Sequence, residues 1–183
     1  MITTGTLNSP AVQTLLSEAR LAGDWVLDPS RSKVELHTRH MWGLRPVNGV
    51  FREVSGLGAV SPAGEVSGTL MVTAASIDSK SKKRDDHLRS DDFFDVSNYP
   101  HITFAVERVT SNSDAVIVTG RLSVRGRSRP LELPVRVAMF GDDQLVIDGE
   151  ARIDRADFGL TWNLLGAASM KSTIAVHAVF NRR

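Results

Sequence analysis

The stretch SKVELHTRH, residues 32–40, decides the fold class, because its apolar and polar residues alternate. Every second residue from Val34 to His40 falls on one face, and the charged residues together with His37 fall on the other. A period of two is typical of a β-strand that buries one face. The sequence therefore predicts a half-buried strand here.

The same alternation returns in six later stretches of the chain. They are VSGTLMVTA (66–74), ITFAVERV (102–109), AVIVTGRLSV (115–124), LELPVRVAM (131–139), LVIDGEARI (145–153) and STIAVHAVF (172–180). With WVLD (25–28) and GVFREV (49–54), about eight or nine strands are expected, separated by Gly, Pro, Asn and Asp. Short strands without intervening helices predict an antiparallel all-β sandwich or a closed barrel.

The inward faces of these strands carry modest side chains, mostly Val, Leu, Ile, Ala and Gly. Several strands are long enough to reach about 30 Å at 3.3 Å per residue. In a barrel of about eight strands, such side chains can leave the lumen partly empty. The same residues also fill ordinary sandwich cores, so the pattern alone leaves a hollow barrel and a filled core open.

Two short helices are expected outside the strands. Residues 1–22 form an N-terminal amphipathic extension, with Ser9 as N-cap and Pro10 in the first turn. Its apolar residues recur at helical spacing: Val12, Leu15, Leu16 and Ala19. The other helix is expected in the 79–90 region, capped by Ser79 or Ser81. Residues 23–183 are then the β-barrel domain.

Composition narrows the classes of function. The 183 residues are 42% apolar and 23% charged, with a net charge of +1, which indicates one soluble domain without a general attraction to nucleic acid. The chain has no cysteine, so disulfides and thiolate chemistry are excluded. The sequence contains no run of 18 apolar residues, so stable membrane insertion through a helix is not expected. The N-terminus lacks the basic and apolar regions of a signal peptide, so we expect a cytoplasmic protein.

Motifs for chemistry are sparse. The closest histidines, His37 and His40, point to opposite faces of one strand and cannot share a metal there. No G-x-S-x-G elbow, calcium-binding loop or phosphate-binding glycine loop occurs. The sequence therefore predicts no metal, no cofactor and no catalytic residue. The three arginines of RGRSRP (125–130) are interpreted as a solvated hairpin tip.

Two stretches combine charge with aromatic rings. In KKRDDHLRSDDFFDV (82–96), Phe93 and Phe94 follow a strongly charged segment, which is either a surface turn beside the core or the rim of a cavity. In RIDRADFGLTW (152–162), Arg155 and Asp157 are expected to form an ion pair. The rings of Phe158 and Trp162 either plug one barrel end or line a ligand tail.

Taken together, four stretches resemble the YceI-like family. They are WVLDPSRSKVELHTRHMWG (25–43), AASIDSKSKKRDDHLRSDDFFDVSNYPHITF (74–104), GRLSVRGRSRPLELPV (120–135) and ARIDRADFGL (151–160). The resemblance covers about residues 24–180. It implies a lipocalin-like, antiparallel up-and-down barrel of about eight strands, often homodimeric, that holds polyisoprenoids or isoprenoid quinones and is not enzymatic. It also implies that Phe93 and Phe94 turn toward the interior.

The resulting hypothesis is storage or transport of an isoprenoid-type lipid in the barrel lumen. The candidate polar anchors at the mouth are His40, Asp86, His87 and Arg89. The candidate apolar lining consists of Trp42, Phe51, Phe93, Phe94, Phe104, Phe158 and Trp162. One alternative is an interaction module with a filled barrel, acting through the N-terminal helix or a dimer surface. Another is a lipid-modifying enzyme that uses His87 and Asp86 as base and acid.

Overall fold

The computed structural model of the chain describes residues 5–40, 45–111, 115–162 and 168–183. Within these residues the strands of the first half are β1 (Gly5–Leu7), β2 (Gly23–Leu27), β3 (Lys33–His40), β4 (Arg45–Phe51), β5 (Val54–Val60), β6 (Val66–Thr73) and β7 (Ile77–Asp78). The strands of the second half are β8 (His101–Ser111), β9 (Val116–Val124), β10 (Arg127–Phe140), β11 (Gln144–Asp154) and β12 (Ala168–Arg182). The helices are α1 (Ser9–Ser17) and α2 (Lys82–Arg89), with 3-10 turns at Ala74–Ser76 and Arg155–Phe158.

These segments form one closed barrel of eight antiparallel staves, which confirms the predicted fold class. Strands β2 and β3 lie end to end along β12, and β5 and β4 lie end to end along β2 and β3. From β5 the sheet continues through β6, β8, β9, β10 and β11, and β11 pairs with β12 to close the circuit. Each stave neighbours the next in the chain, so the topology is up-and-down.

The barrel core consists of two clusters, one at each end. The cluster at the α2 end is built around Phe51, Phe93 and Phe94. The cluster at the α1 end is built around Trp25 and Met139. Partly buried side chains pack against both clusters: Val118, Leu131, Ile147 and Phe180. The apolar interior is therefore continuous along the barrel.

Helix α1 has a different cap from the one predicted. Asn8 is the N-cap, with extended backbone, and its Oδ1 accepts a hydrogen bond from the Ala11 amide at 3.0 Å. Ser9 is buried inside the first turn instead, and its hydroxyl donates to the carbonyl of Ala115 at 2.8 Å. Pro10 lies in the first turn as expected, where its missing N–H costs nothing.

The N-terminal segment closes one end of the barrel. Val12 and Leu15 of α1 are buried in the same cluster as Trp25. Strand β1 extends the sheet by pairing with β10 beyond the end of β9. Arg182 lies 4.6 Å above the Trp25 ring and donates to the carbonyl of Arg20 at 2.7 Å. The predicted amphipathic helix thus buries its apolar face against its own barrel.

Helix α2 lies in the predicted 79–90 region, at the other barrel end. Ser81 is its N-cap by position, although its hydroxyl makes no capping hydrogen bond. In the described part of the chain, neither helix has the length and apolar character needed to cross a bilayer.

Candidate functional site

The lumen contains two cavities with almost wholly apolar linings. The inner cavity, of about 80 Å³, lies toward the α2 end and is lined by Val34, Leu36, Phe51, Val72, Phe93, Phe94 and further apolar side chains. The lower cavity, of about 150 Å³, lies toward the α1 end and is lined by Trp25, Val109, Leu145, Phe180 and their neighbours. Four side chains line both cavities and separate them: Leu70, Phe104, Leu133 and Val176. The barrel is therefore not solidly filled.

The phenylalanines after α2 face this lumen. The Phe93 and Phe94 rings are buried and meet edge to face, with centroids 5.1 Å apart, and Phe94 lies 6.0 Å from Phe51. The turn that follows α2 fixes them, because the amide of Phe94 donates to the carbonyl of Leu88 at 3.0 Å. The expectation that both rings turn inward is confirmed. The hairpin residue Arg125 adds support by donating to the carbonyl of Phe93 at 3.1 Å.

A larger mouth pocket, of about 620 Å³, opens at the α2 end. Its walls come from α2 and from strands β3, β4 and β12, together with the segment after β11. The residues Leu36, Phe93 and Arg155 line both this pocket and the inner cavity. We call the place where these three residues meet the neck, because it lies between the mouth pocket and the inner cavity.

Helix α2 is held at the mouth by polar contacts with the segment that precedes it. The buried carboxylate of Asp85 accepts hydrogen bonds from the amide and the hydroxyl of Ser79, the first at 2.9 Å. Arg84 donates to the Ser79 hydroxyl at 2.7 Å. Arg89 donates to the carbonyls of Ala75 and Ile77 at 2.7 and 2.8 Å. These contacts use arginine donors to fix one wall of the pocket.

His87 faces the mouth pocket beside an aromatic partner. Its ring lies edge-on to the Trp162 ring, with centroids 4.1 Å apart, and its Nε2 lies 3.7 Å from the Asp92 carboxylate. The two predicted site residues His87 and Trp162 are therefore brought together at the rim. The predicted base and acid, His87 and Asp86, are not brought together, because Asp86 pairs with Lys82 at 2.6 Å on the exposed side of α2.

The other predicted site residues fall into three groups. Phe51, Phe93, Phe94 and Phe104 line the inner cavity. Phe158 is buried in the core, whereas Asp86 and Arg89 lie outside the lining of the mouth pocket. His40 ends β3, but its side chain lies outside the described structure, and so does Trp42.

Sequence reasoning missed Arg155, the polar residue at the neck. It is expected to pair with Asp157, but its side chain is buried, and the nearest charge acting on it is that of Asp154. Its Nε donates to the carbonyl of Ser169 at 3.0 Å, and its guanidinium lies 5.2 Å from the Phe93 ring centroid. Burial lowers the pKa of this guanidinium from its ordinary value.

A signal for Arg155 was present in the sequence. Inward residues of β11 recur with period two through Ala151 and Ile153, and Arg155 is the next position in that series. The neighbouring Asp154 and Asp157 suggested an ion pair for Arg155 and so hid its inward position. Asp154 is instead paired with Lys171 at 2.7 Å, which lowers the pKa of Asp154 and raises that of Lys171.

The described residues contain no group of three or more His, Asp or Glu side chains arranged to hold a metal ion. The arrangement is instead suited to binding. It offers an apolar interior, a single polar neck and a wide rim, as ligand pockets commonly do.

Comparison with known proteins gives consistent matches. The family model described as the YceI-like domain matches residues 25–180. A UPF0312 protein of Pectobacterium atrosepticum is 30% identical, over 94% of this chain and 95% of its own length. Protein YceI of Escherichia coli O157:H7 is 27% identical, over 85% of each chain.

Solved structures share the barrel. The crystal structure of BcnA from Burkholderia cenocepacia superposes with a TM-score of 0.76 at 26% identity, covering 84% of this chain and 98% of that one. A structure described as a polyisoprenoid binding domain from Saccharophagus degradans superposes with a TM-score of 0.70, covering 87% and 98%. At 16% identity the second likeness shows the fold alone.

Proposed function

The chain belongs to the YceI-like family, and from this premise we propose that it binds a long apolar lipid inside its barrel without altering it chemically. The ligand we propose is a polyisoprenoid or an isoprenoid quinone. The protein would store or carry this ligand, with the tail in the lumen and the polar head toward the mouth.

The observation that carries the proposal is the apolar lining of the inner cavity. Phe51, Phe94 and Val72 surround a space that adjoins the mouth pocket at the neck. Transfer of a methylene from water to such surroundings is favourable by about 0.8 kcal/mol. A chain of many isoprene units therefore gains enough to displace mobile side chains and to extend between the two cavities.

A relative supports the choice of ligand class. The Saccharophagus degradans structure that shares this fold is described as a polyisoprenoid binding domain. The interior of a closed eight-stranded barrel is wide enough to hold one small ligand where side chains do not fill it. We extend this property to the present chain on the strength of its own lining.

The two alternatives are less well supported. An interaction module acting through the N-terminal helix needs an exposed apolar face, but Val12 and Leu15 are buried against the barrel of the same chain. An enzyme that uses His87 with Asp86 needs the two side chains together, but Asp86 is paired with Lys82.

The direct test is organic extraction of the purified protein, followed by mass spectrometry. We expect a co-purifying apolar lipid, and we expect added polyprenyl compounds to quench tryptophan emission, since Trp162 and Trp25 line the mouth pocket and the lower cavity. The absence of both signals would refute the proposal.

A matched pair of variants tests where the lipid lies. Val176 lines both cavities, whereas its neighbour Ala175 lines a groove on the outer surface. We expect Val176→Phe to weaken polyprenyl binding about tenfold by filling the lumen, and Ala175→Phe to leave it unchanged. Equal binding by both variants would place the ligand outside the barrel.

A further inference from the structure

Arg155 is a buried cation that forms no salt bridge with a carboxylate of the described residues, although the charge of Asp154 acts on it. Its side chain is 4% exposed, and its bonding partners are the carbonyl of Ser169, at 3.0 Å, and the sulfur of Met170, at 3.6 Å. Residues 41–44 and 163–167, which lie outside the described structure, contain no Asp or Glu in sequence. An ionised group inside a protein is costly unless an opposite charge or hydrogen bonds compensate it.

Ser172 provides an independent observation at the same place. It is 3% exposed, and its Oγ is the buried side-chain atom in the described residues for which no hydrogen-bond partner exists. Buried hydroxyls are almost always bonded, so an unpartnered one indicates a missing group. Ser172 lines the mouth pocket together with Arg155 and Thr38.

The sheet brings these residues to one level of the barrel. Ser172 pairs with Ile153 on β11 and with Thr38 on β3, and Arg155 follows two residues after Ile153. All three polar side chains therefore lie near the rim of the lumen, where β3, β12 and the end of β11 meet. The residues below this level are mainly apolar.

The lining of the mouth pocket is mainly positive, like Arg155 itself. Lys83 and Arg84 line the pocket with Arg155, and Asp92 is the carboxylate among its described lining residues. Low-dielectric walls strengthen the attraction between such cations and an anion that enters. A neutral head group would offer Arg155 no opposite charge beyond that of Asp154.

We propose that Arg155 and Ser172 bind an anionic oxygen group, a carboxylate or a phosphate ester, at the head of the lipid. The head lies at the neck, the tail runs into the inner cavity, and Arg155 and Ser172 both donate hydrogen bonds to the head. This inference rests on the proposed function and narrows its ligand to an apolar lipid with an anionic head, which excludes a neutral quinone. It places recognition at Arg155 rather than at Asp86 and Arg89 on α2.

The test compares three amphiphiles with the same tail: dodecyl phosphate, dodecanoate and dodecanol, each titrated below its micelle concentration at pH 7.5. We expect the wild-type chain to bind at least one of the two anions about tenfold or more tightly than dodecanol, since hydrogen bonds to charged groups are the stronger kind. Preference for dodecyl phosphate over dodecanoate, or the reverse, identifies the source of the charge.

Variants assign the preference to the neck. We expect Arg155→Met to abolish the preference for anions while changing dodecanol affinity less than about twofold. Ser172→Ala removes a hydroxyl that has no hydrogen-bond partner, so we expect it to keep the fold and to weaken anion binding about threefold. Lys82→Met removes the same charge from an exposed position outside the pocket and is expected to keep the full preference.

Two results would overturn the inference. Equal affinity of the wild-type chain for dodecanol and both anions would refute the proposed head site without contradicting lipid binding. An unchanged preference for anions in both Arg155→Met and Ser172→Ala would assign that preference to other residues. If none of the three amphiphiles binds and no lipid co-purifies, the proposed function fails together with the inference.

Discussion

Phe104 shows how one side chain shapes the lumen. Its ring lines both the inner and the lower cavity, so it lies on the boundary between them. The neighbouring strand accommodates this ring because residue 120 is a glycine: a Cβ there would lie 2.9 Å from the Phe104 ring and still closer to the carbonyl oxygen of Ala105. The size of the interior is thus set by close contacts at single positions.

We expect Gly120→Ala to destabilise the protein by about 2–3 kcal/mol, because the backbone of β8 must move to admit the methyl group. Gly58→Ala is the matched control, since the atoms nearest to its Cβ lie at an ordinary 3.8 Å. Urea unfolding followed by circular dichroism measures both. Equal stability of the two variants would show that β8 and β9 separate at little cost.

At the scale of elements, the two helices have different attachments. Helix α1 is fixed mainly by apolar burial of Val12 and Leu15, whereas α2 is fixed by the hydrogen bonds of Asp85 and Arg89. The difference follows from composition, because α2 has the sequence KKRDDHLR and few apolar side chains to bury.

Truncation of Leu15 tests the closure by α1. We expect Leu15→Ala to cost about 2–4 kcal/mol, because it leaves a void in the cluster around Trp25. Gln13→Ala, at an exposed position of the same helix, is expected to change stability little. Thermal unfolding distinguishes the two, and a small effect of Leu15→Ala would show that α1 does not seal the barrel.

The short strand β7 gives the protein an acid-sensitive contact. Asp78 accepts hydrogen bonds from the Arg52 side chain, at 2.8 Å, and from the Lys80 amide, at 2.9 Å, and these hold its pKa well below the ordinary value. A lowered folded-state pKa stabilises the protein above the unfolded pKa of about 3.9, and that stabilisation disappears as pH falls through the folded value.

We therefore expect Asp78→Asn to be less stable than the wild type at pH 7, with the difference shrinking progressively below about pH 4. Urea midpoints measured along a pH series test this. Asp86→Asn, which breaks an exposed pair with Lys82, serves as the control. A difference for Asp78→Asn that stays constant down to pH 2 would contradict the assignment.

For the whole molecule, the continuity of the core predicts one cooperative unit. Val118, Leu131, Ile147 and Phe180 pack against the clusters at both barrel ends. We expect urea unfolding curves from tryptophan fluorescence and from far-ultraviolet circular dichroism to coincide. Separate transitions would mean that the α1 end opens independently.

Oligomeric state and location belong to the same scale. The homodimer expected from the family resemblance stays a prediction, which sedimentation equilibrium tests. The cytoplasmic location also stays a prediction, and cell fractionation is its test.

The alternation of residues determined most of the fold in advance. VELHTRH and the later period-two stretches specified strands and their buried faces, because successive side chains on a strand point to opposite sides. Local signals placed the two helices, since α1 lies within the predicted 1–22 extension and α2 within the predicted 79–90 region. The cap of α1 was misplaced, because Asn8 and Ser9 are both good caps and only the backbone geometry decides between them.

The sequence by itself determined the all-β pattern of alternating strands, and its resemblance to the YceI-like family implied the closed barrel and the inward position of Phe93 and Phe94. Only the tertiary structure decided that Arg155 lies unpaired at the neck, that Ser172 lacks a partner, and that Asp86 and Arg89 lie outside the lining of the pocket. The physical reason is that periodicity is a property of neighbours along one strand. Pairing of charges and hydroxyls depends instead on which distant segments the closed sheet brings together.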